Sequence, residues 1–161
     1  ESSSDRMRKV FEVDFFAAAE LTRLALPHLK RGKQAAVCMV NSVLGHRGVP
    51  QKSEYCAAKF ALRGWAEALR IELSSRNIDV LTVSPSTTRS EFFDSLVDTV
   101  RGKKSASIGS QSPEAVARQV LIALRKRKRD RVLSAGGKAF VWLSRLAPNF
   151  TDRLLMRYAT A

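Results

Sequence analysis

The stretch AAVCMVNSVLGHRGVPQKSEYCAAK, residues 35–59, decides how this chain is read. Its opening AAVCMVNS is apolar up to Val40 and holds β-branched residues, the pattern of a strand buried on both faces of a sheet. Val43 to Lys52 carries two glycines and a proline, which makes it a loop. From Ser53 onward, SEYCAAKFALRGWAEALRIELSS predicts a long helix. Leu62, Ala66, Leu69 and Leu73 form one stripe, widened by Phe60 and Trp65. Gly64 inside that helix costs about 1 kcal/mol relative to alanine, and close packing against another helix would explain it.

On the amino-terminal side, SSSDRMRKVFEVDFFAAAELTRLALPHLKRG opens with Ser and Asp caps and predicts a helix over residues 5–30, stopping near Gly32. On the carboxyl side, IDVLTVSP is a second buried strand that ends at Pro85. Residues 86–111 are polar and irregular, with one short helix through SEFFDSLV. A connection that long is a functional flap or is disordered. SPEAVARQVLIALRKR begins a helix with Ser112 as N-cap and Pro113 in its first turn. DRVLSAG is a last short strand and KAFVWLSRLAP a final helix. Helices alternating with buried strands predict an α/β fold with a parallel sheet. In such sheets the ligand crevice lies off the carboxyl ends of the strands. Ser42 and Pro85 both fall there.

The 161 residues suffice for one modest domain with a real core, and 45% hydrophobic content excludes a disordered chain. No apolar run approaches the roughly 20 residues of a membrane-spanning helix. No repeat and no signal-peptide pattern is visible, although the chain opens on Glu1. Cys38 and Cys56 make no disulfide framework, and with only His28 and His46 beside them no metal-ligand spacing arises. Small buried thiols in a reducing cytoplasm are the expectation. The net charge of +13 is uneven: residues 101–161 hold 14 Lys/Arg against 3 Asp/Glu, residues 1–100 hold 14 against 12.

Tyr55 and Lys59 stand four apart on the long helix, so they share one face a turn apart. A phenol holds its proton up to about pH 10. An ammonium one turn away is expected to stabilise the phenolate and lower that value, fitting the tyrosine for acid–base work. Ser42, thirteen positions before Tyr55, arrives from the neighbouring strand end, where its hydroxyl can bond a substrate oxygen. The trio suits proton exchange with an alcohol or carbonyl oxygen while hydride moves at the carbon.

VNSVLG, YCAAK and VLTVSPSTTRSEFF together resemble the serine strand, the Tyr-x-x-x-Lys helix and the strand-then-Pro-Gly segment of the short-chain dehydrogenase/reductase family. MRKVFEVDFFAAAELTRLALPHL resembles the long helix before the serine strand. The likeness runs over about residues 5–135 and implies the C-terminal portion of a Rossmann-like doubly wound parallel sheet, with 136–161 as a basic amphipathic helical tail. It implies an NAD(P)-dependent oxidoreductase using NAD or NADP on a small alcohol or carbonyl substrate. Tyr55 would be the general acid/base. Lys59 would tune Tyr55 and bind the nicotinamide ribose, and Ser42 would orient the substrate oxygen. Pro85, Ser86, Thr88 and Ser90 would lie beside the nicotinamide. A homo-oligomer through helices 5–30 and 53–74 is implied too, with Phe16 and Trp65 equally suited to core or interface.

Three departures stand out. Asp14 occupies the place of an asparagine that helps hold a proton-relay water near the lysine, and joins the catalytic set on that ground. Ser86 replaces the glycine after Pro85, limiting close backbone approach to a cofactor. No glycine-rich dinucleotide turn occurs anywhere. A complete member would place that turn in roughly a hundred upstream residues, so a fragment is expected, with AAVCMV as an unpaired edge and weak cofactor binding by this chain alone.

RKRKRDR, residues 125–131, reads as a solvated helix end or as a phosphate-, nuclear- or membrane-directed patch. KAFVWLSRLAPNFTDRLLMRY mixes large apolar residues with arginines, as in a membrane-surface segment or a lid over a greasy substrate. The rival function is therefore a non-catalytic basic module for a membrane surface or nucleic acid, with a vestigial site. Nucleic acid is the weaker form, because no stacking-aromatic pattern accompanies the charge. Location is cytoplasmic, or peripheral at a membrane.

Overall fold

A computed structural model describes residues 3–88 and 111–160. Three strands, β1 (Ala36–Val40), β2 (Asp79–Ser84) and β3 (Asp130–Val132), form one parallel sheet in the order β1-β2-β3. Ala36 pairs with Asp79 and Val40 with Val83. On the other side of β2, Thr82 pairs with Asp130 and Ser84 with Val132. Helix α1 (Ser4–Phe11) passes through one wide π-helical turn, Glu12–Phe16, into α2 (Ala17–Leu29). Then come α3 (Ser53–Ser74), α4 (Pro113–Arg125), α5 (Ala135–Leu146) and α6 (Pro148–Thr160).

Strand alternation divides the core into two layers. Met39 and Val80 meet Leu62, Ala66, Leu69 and Leu73 of α3, with Phe15, Ala18, Leu26 and Leu29 closing the same face. On the other face Val83 packs with Ala123 of α4 and with Leu133. Helices on both sides of a parallel sheet are the doubly wound arrangement that the alternating pattern predicts. Each leucine of the α3 stripe is fully or nearly fully buried. Such burial stabilises by about 1.5–3 kcal/mol per side chain, and truncating one to alanine costs about 2–5 kcal/mol.

The sequence-based outline needs four corrections. The helix over residues 5–30 is interrupted by its π turn, which carries Asp14. β1 is only half-buried and Val40 is 52% exposed, whereas β2 is buried from Val80 to Ser84. The unpaired edge expected for AAVCMV is found, because among the described residues β1 pairs with β2 alone. Phe60 does not join the core stripe but is exposed, while Trp65 does pack against the core. Gly64 has open space where a side chain would stand, so no close helix contact among the described residues accounts for it.

Other expectations hold. Ser112 caps α4, its hydroxyl accepting from the Ala115 N–H at 3.2 Å. The 43–52 loop contains only a short 3-10 turn, Val43–Gly45. Cys56 is buried and Cys38 half-buried, both free, and burial pushes both thiols up. The proposed flap, with its SEFFDSLV helix, lies outside the described residues apart from its ends.

The basic run after α4 is partly structural. Arg127, in the left-handed region at φ 49°, donates to Asp79 at 3.0 Å and to the Gln34 carbonyl at 2.6 Å, pinning the starts of β1 and β2. The carboxyl-terminal helices are anchored as well. Ser134 caps α5 through the Gly137 N–H at 2.9 Å. A side chain on Gly137 would come within 2.9 Å of Val43, so glycine lets α5 press on the loop after β1. Arg47 of that loop pairs with Asp152 of α6.

Candidate active site

The ends of β1 and β2 stay paired beyond the strands. The Asn41 N–H donates to Val83 at 2.8 Å and the Val43 N–H to Pro85 at 2.9 Å. This holds Ser42 beside Pro85 and Ser86 at the carboxyl edge of the sheet. The loop then turns sharply and delivers the first two turns of α3, which carry Tyr55 and Lys59, to the same corner. Gly45 makes the turn fit. A Cβ there would lie 2.7 Å from Asn41 Oδ1 and 2.9 Å from the Lys59 carbonyl, so any larger residue would push the loop off α3.

Ser42 and Tyr55 are hydrogen-bonded through their side chains. The Ser42 hydroxyl also accepts from the Leu44 N–H at 3.1 Å, which fixes its direction. Lys59 Nζ lies 5.5 Å from the centre of the Tyr55 ring and 2.9 Å from Asp14 Oδ1, with both members of that ion pair largely buried. The wide turn at 12–16 is what brings Asp14 down onto Lys59 from the facing helix. Four of the expected site residues, Ser42, Tyr55, Lys59 and Asp14, thus converge.

The expected lowering of the phenol does not occur in this arrangement. Tyr55 is pushed up to about 12, first by burial; the Ser42 hydrogen bond pulls the other way and the Asp14 charge adds to the rise. With Asp14 against its ammonium, Lys59 presents a neutralised pair to the ring. The tyrosine is therefore held as a proton donor.

Ser86 and Thr88 stand just beyond Pro85, at the end of β2. Thr88 Oγ1 donates to the Ser86 carbonyl at 3.3 Å, and Thr88 bridges to Gln111 on the far side of the undescribed segment. Among the described residues the buried Ser86 hydroxyl has no hydrogen-bond partner. Ser90 lies outside the described residues.

Two neighbours escaped the sequence reading. Arg63, one turn beyond Lys59, reaches the His46 ring, Nε2 at 2.7 Å, and also Asp130 at 2.8 Å and Glu67 at 2.8 Å. His46 Nε2 in turn meets Ser84 Oγ at 3.0 Å. Burial, then the Arg63 charge, lowers His46 to about 4, so it stays neutral at pH 7. Asn41, buried beside Ser42, is the other. The continuing four-residue spacing Tyr55, Lys59, Arg63 was the available signal for the arginine.

The short chain dehydrogenase family profile matches residues 1–101. The chain is 36% identical over 157 residues to the uncharacterized oxidoreductase YxnA of Bacillus subtilis, covering 92% of this chain and 43% of that protein. It is 31% identical over 161 residues to dehydrogenase/reductase SDR family member 7B of Bos taurus, covering 96% and 49%. A crystal structure of a short chain dehydrogenase from Burkholderia cenocepacia J2315 in complex with NADP superposes with a TM-score of 0.78 at 21% identity, over 92% of this chain and 58% of that one. The chain belongs to the short-chain dehydrogenase/reductase family. It spans a little under half the length of these two curated relatives.

Proposed function

We propose that this chain supplies the acid–base half of an NAD- or NADP-dependent oxidoreductase that interconverts an alcohol and a carbonyl. The observation that supports it most is the Ser42–Tyr55 hydrogen bond with Lys59 Nζ 5.5 Å from the ring. In reduction, Tyr55 donates its proton to the substrate oxygen as that oxygen gains charge, and Ser42 orients the same oxygen. In oxidation Tyr55 must first lose its proton, which a value near 12 makes the harder direction at neutral pH. Lys59 steadies the phenolate and holds the ribose, and Asp14 keeps the lysine in place. The nicotinamide, when bound, supplies or takes the hydride.

The residues present suit the nicotinamide end of that cofactor. The buried Ser86 hydroxyl, unpartnered among the described residues, is the kind of group an amide would satisfy, beside Pro85 and Thr88. Ser90 joins them by resemblance alone. No glycine-rich turn in this sequence fits a pyrophosphate. Residues 1–135 are read as the Rossmann part and 136–161 as the tail. Val13, Phe16, Leu21 and Leu24, with Phe60 and Ile71 of α3, expose apolar surface suited to pairing with a second copy. The free thiols suit a reducing, cytoplasmic setting.

The test is turnover of the full-length protein with a carbonyl panel and reduced nicotinamide cofactor. Tyr55→Phe should lower it by about 100-fold or more while thermal stability is kept. Unchanged turnover in that variant would remove Tyr55 from the chemistry, whereas no turnover in the parent would support the rival reading of a non-catalytic module.

A further inference from the structure

We infer that the outer face of α5 and α6 docks on an anionic phospholipid surface. The inner faces of these helices are already occupied: Gly137, Val141, Ser144 and Thr151 are buried, and Arg47 holds Asp152. What remains outside is nonetheless apolar. Trp142 is 60% exposed, Leu146 78%, Phe150 57% and Leu154 49%. On α5 they alternate with exposed Lys138 and Arg145 at helical spacing, and on α6 with exposed Arg153.

Charge selects the partner. From residue 135 to 161 the cations are Lys138, Arg145, Arg153 and Arg157, and the single acid is Asp152, already answered by Arg47. A second copy laid face to face would set cations against cations, so self-pairing here is opposed. A bilayer rich in acidic headgroups instead accepts the tryptophan and leucines at its interface and the arginines among its phosphates. Helices of 12 and 13 residues are too short to cross a bilayer but suited to lie in its surface. Among the described residues no helix is long and apolar enough to span.

The experiment is co-sedimentation of the full-length protein with vesicles of phosphatidylcholine alone or with added phosphatidylserine, at about 0.1 M salt. Sedimentation is expected only with phosphatidylserine, with a blue shift of Trp142 emission in a Trp65→Phe background. Arg145→Gln and Arg153→Gln should each weaken partitioning about five-fold. A Trp142→Ser, Phe150→Ser double variant should weaken it about ten-fold or more while carbonyl-reducing turnover is unchanged. No sedimentation would overturn the proposal, as would equal binding by the double variant. So would lipid-free self-association lost in that variant. The sedimentation outcomes do not depend on whether the protein turns over a substrate.

Discussion

Helix α3 carries one polar row, Tyr55, Lys59, Arg63 and Glu67, at successive four-residue steps, and its two halves meet different surroundings. The first half faces the corner where β1 and β2 end. There the largely buried Asp14 pairs with Lys59, and Ser42 bonds Tyr55. The second half faces the flank of the sheet, where Arg63 is shared among His46, Glu67 and Asp130. Further down, Arg70 donates to the Val80 carbonyl at 2.7 Å and the Arg129 carbonyl at 3.0 Å. The difference teaches that identical helical spacing yields a buried tyrosine–lysine pair at the strand ends and a clamp further along. Position along the sheet decides which.

The comparison breaks most sharply under substitution. In the full-length protein, Lys59→Met should reduce turnover by about 100-fold or more and, by stranding the Asp14 carboxylate, destabilise by about 3–5 kcal/mol. Arg63→Met should leave turnover within a few-fold yet cost about 1–3 kcal/mol, because three groups lose a shared charge. Steady-state kinetics paired with urea unfolding separates these results. If Arg63→Met were the catalytically damaging one, the division of the helix would be wrong.

Alkaline stability sharpens the same contrast at the first half. Tyr55 is raised from about 10 in the unfolded chain to about 12 when folded, so the folded state keeps its proton longer. The stabilisation is complete below pH 10 and is lost as pH rises through 12. The total is on the order of 2–3 kcal/mol, missing in Tyr55→Phe, and measurable by urea midpoints across that range.

The second half answers to acid instead. His46 is lowered from 6.5 to about 4. Its contribution is present above pH 6.5 and fades as pH falls through 4, because the unfolded histidine binds a proton more readily. In His46→Gln the slope of stability between pH 6.5 and 4 should be shallower.

The smallest effect expected is on the pH–rate profile. Asp14→Asn removes a negative charge that raises Tyr55, so the rise of alcohol oxidation with pH should move lower, by less than about one unit. A shift to higher pH would mean that Asp14 acts on the tyrosine otherwise than by its charge.

Much of this was legible in the chain because local pattern and chemistry coincide. Apolar runs at strand length, the Ser112–Pro113 cap and the 62–66–69–73 stripe specify the order of elements, and Ser42, Tyr55 and Lys59 fall where that order puts a crevice. Errors arose where a residue's role depends on what lies across from it. Phe60 and Leu62 are alike in apolar character, but only Leu62 points at the sheet. β1 and β2 are both rich in branched apolar residues, yet among the described residues only β2 has strands on both sides.

By itself, then, the sequence determined the alternating α/β order, the position of the serine, tyrosine and lysine at strand and helix ends, and the basic, apolar tail. These depend on periodicity and caps, which act within a few residues. Only the tertiary structure decided that Asp14 reaches Lys59 through a widened turn, that burial holds Tyr55 protonated, that Arg63 clamps His46, and which side of the tail faces outward. Burial and charge pairing are set by groups far apart along the chain, and nothing local encodes the distance between them.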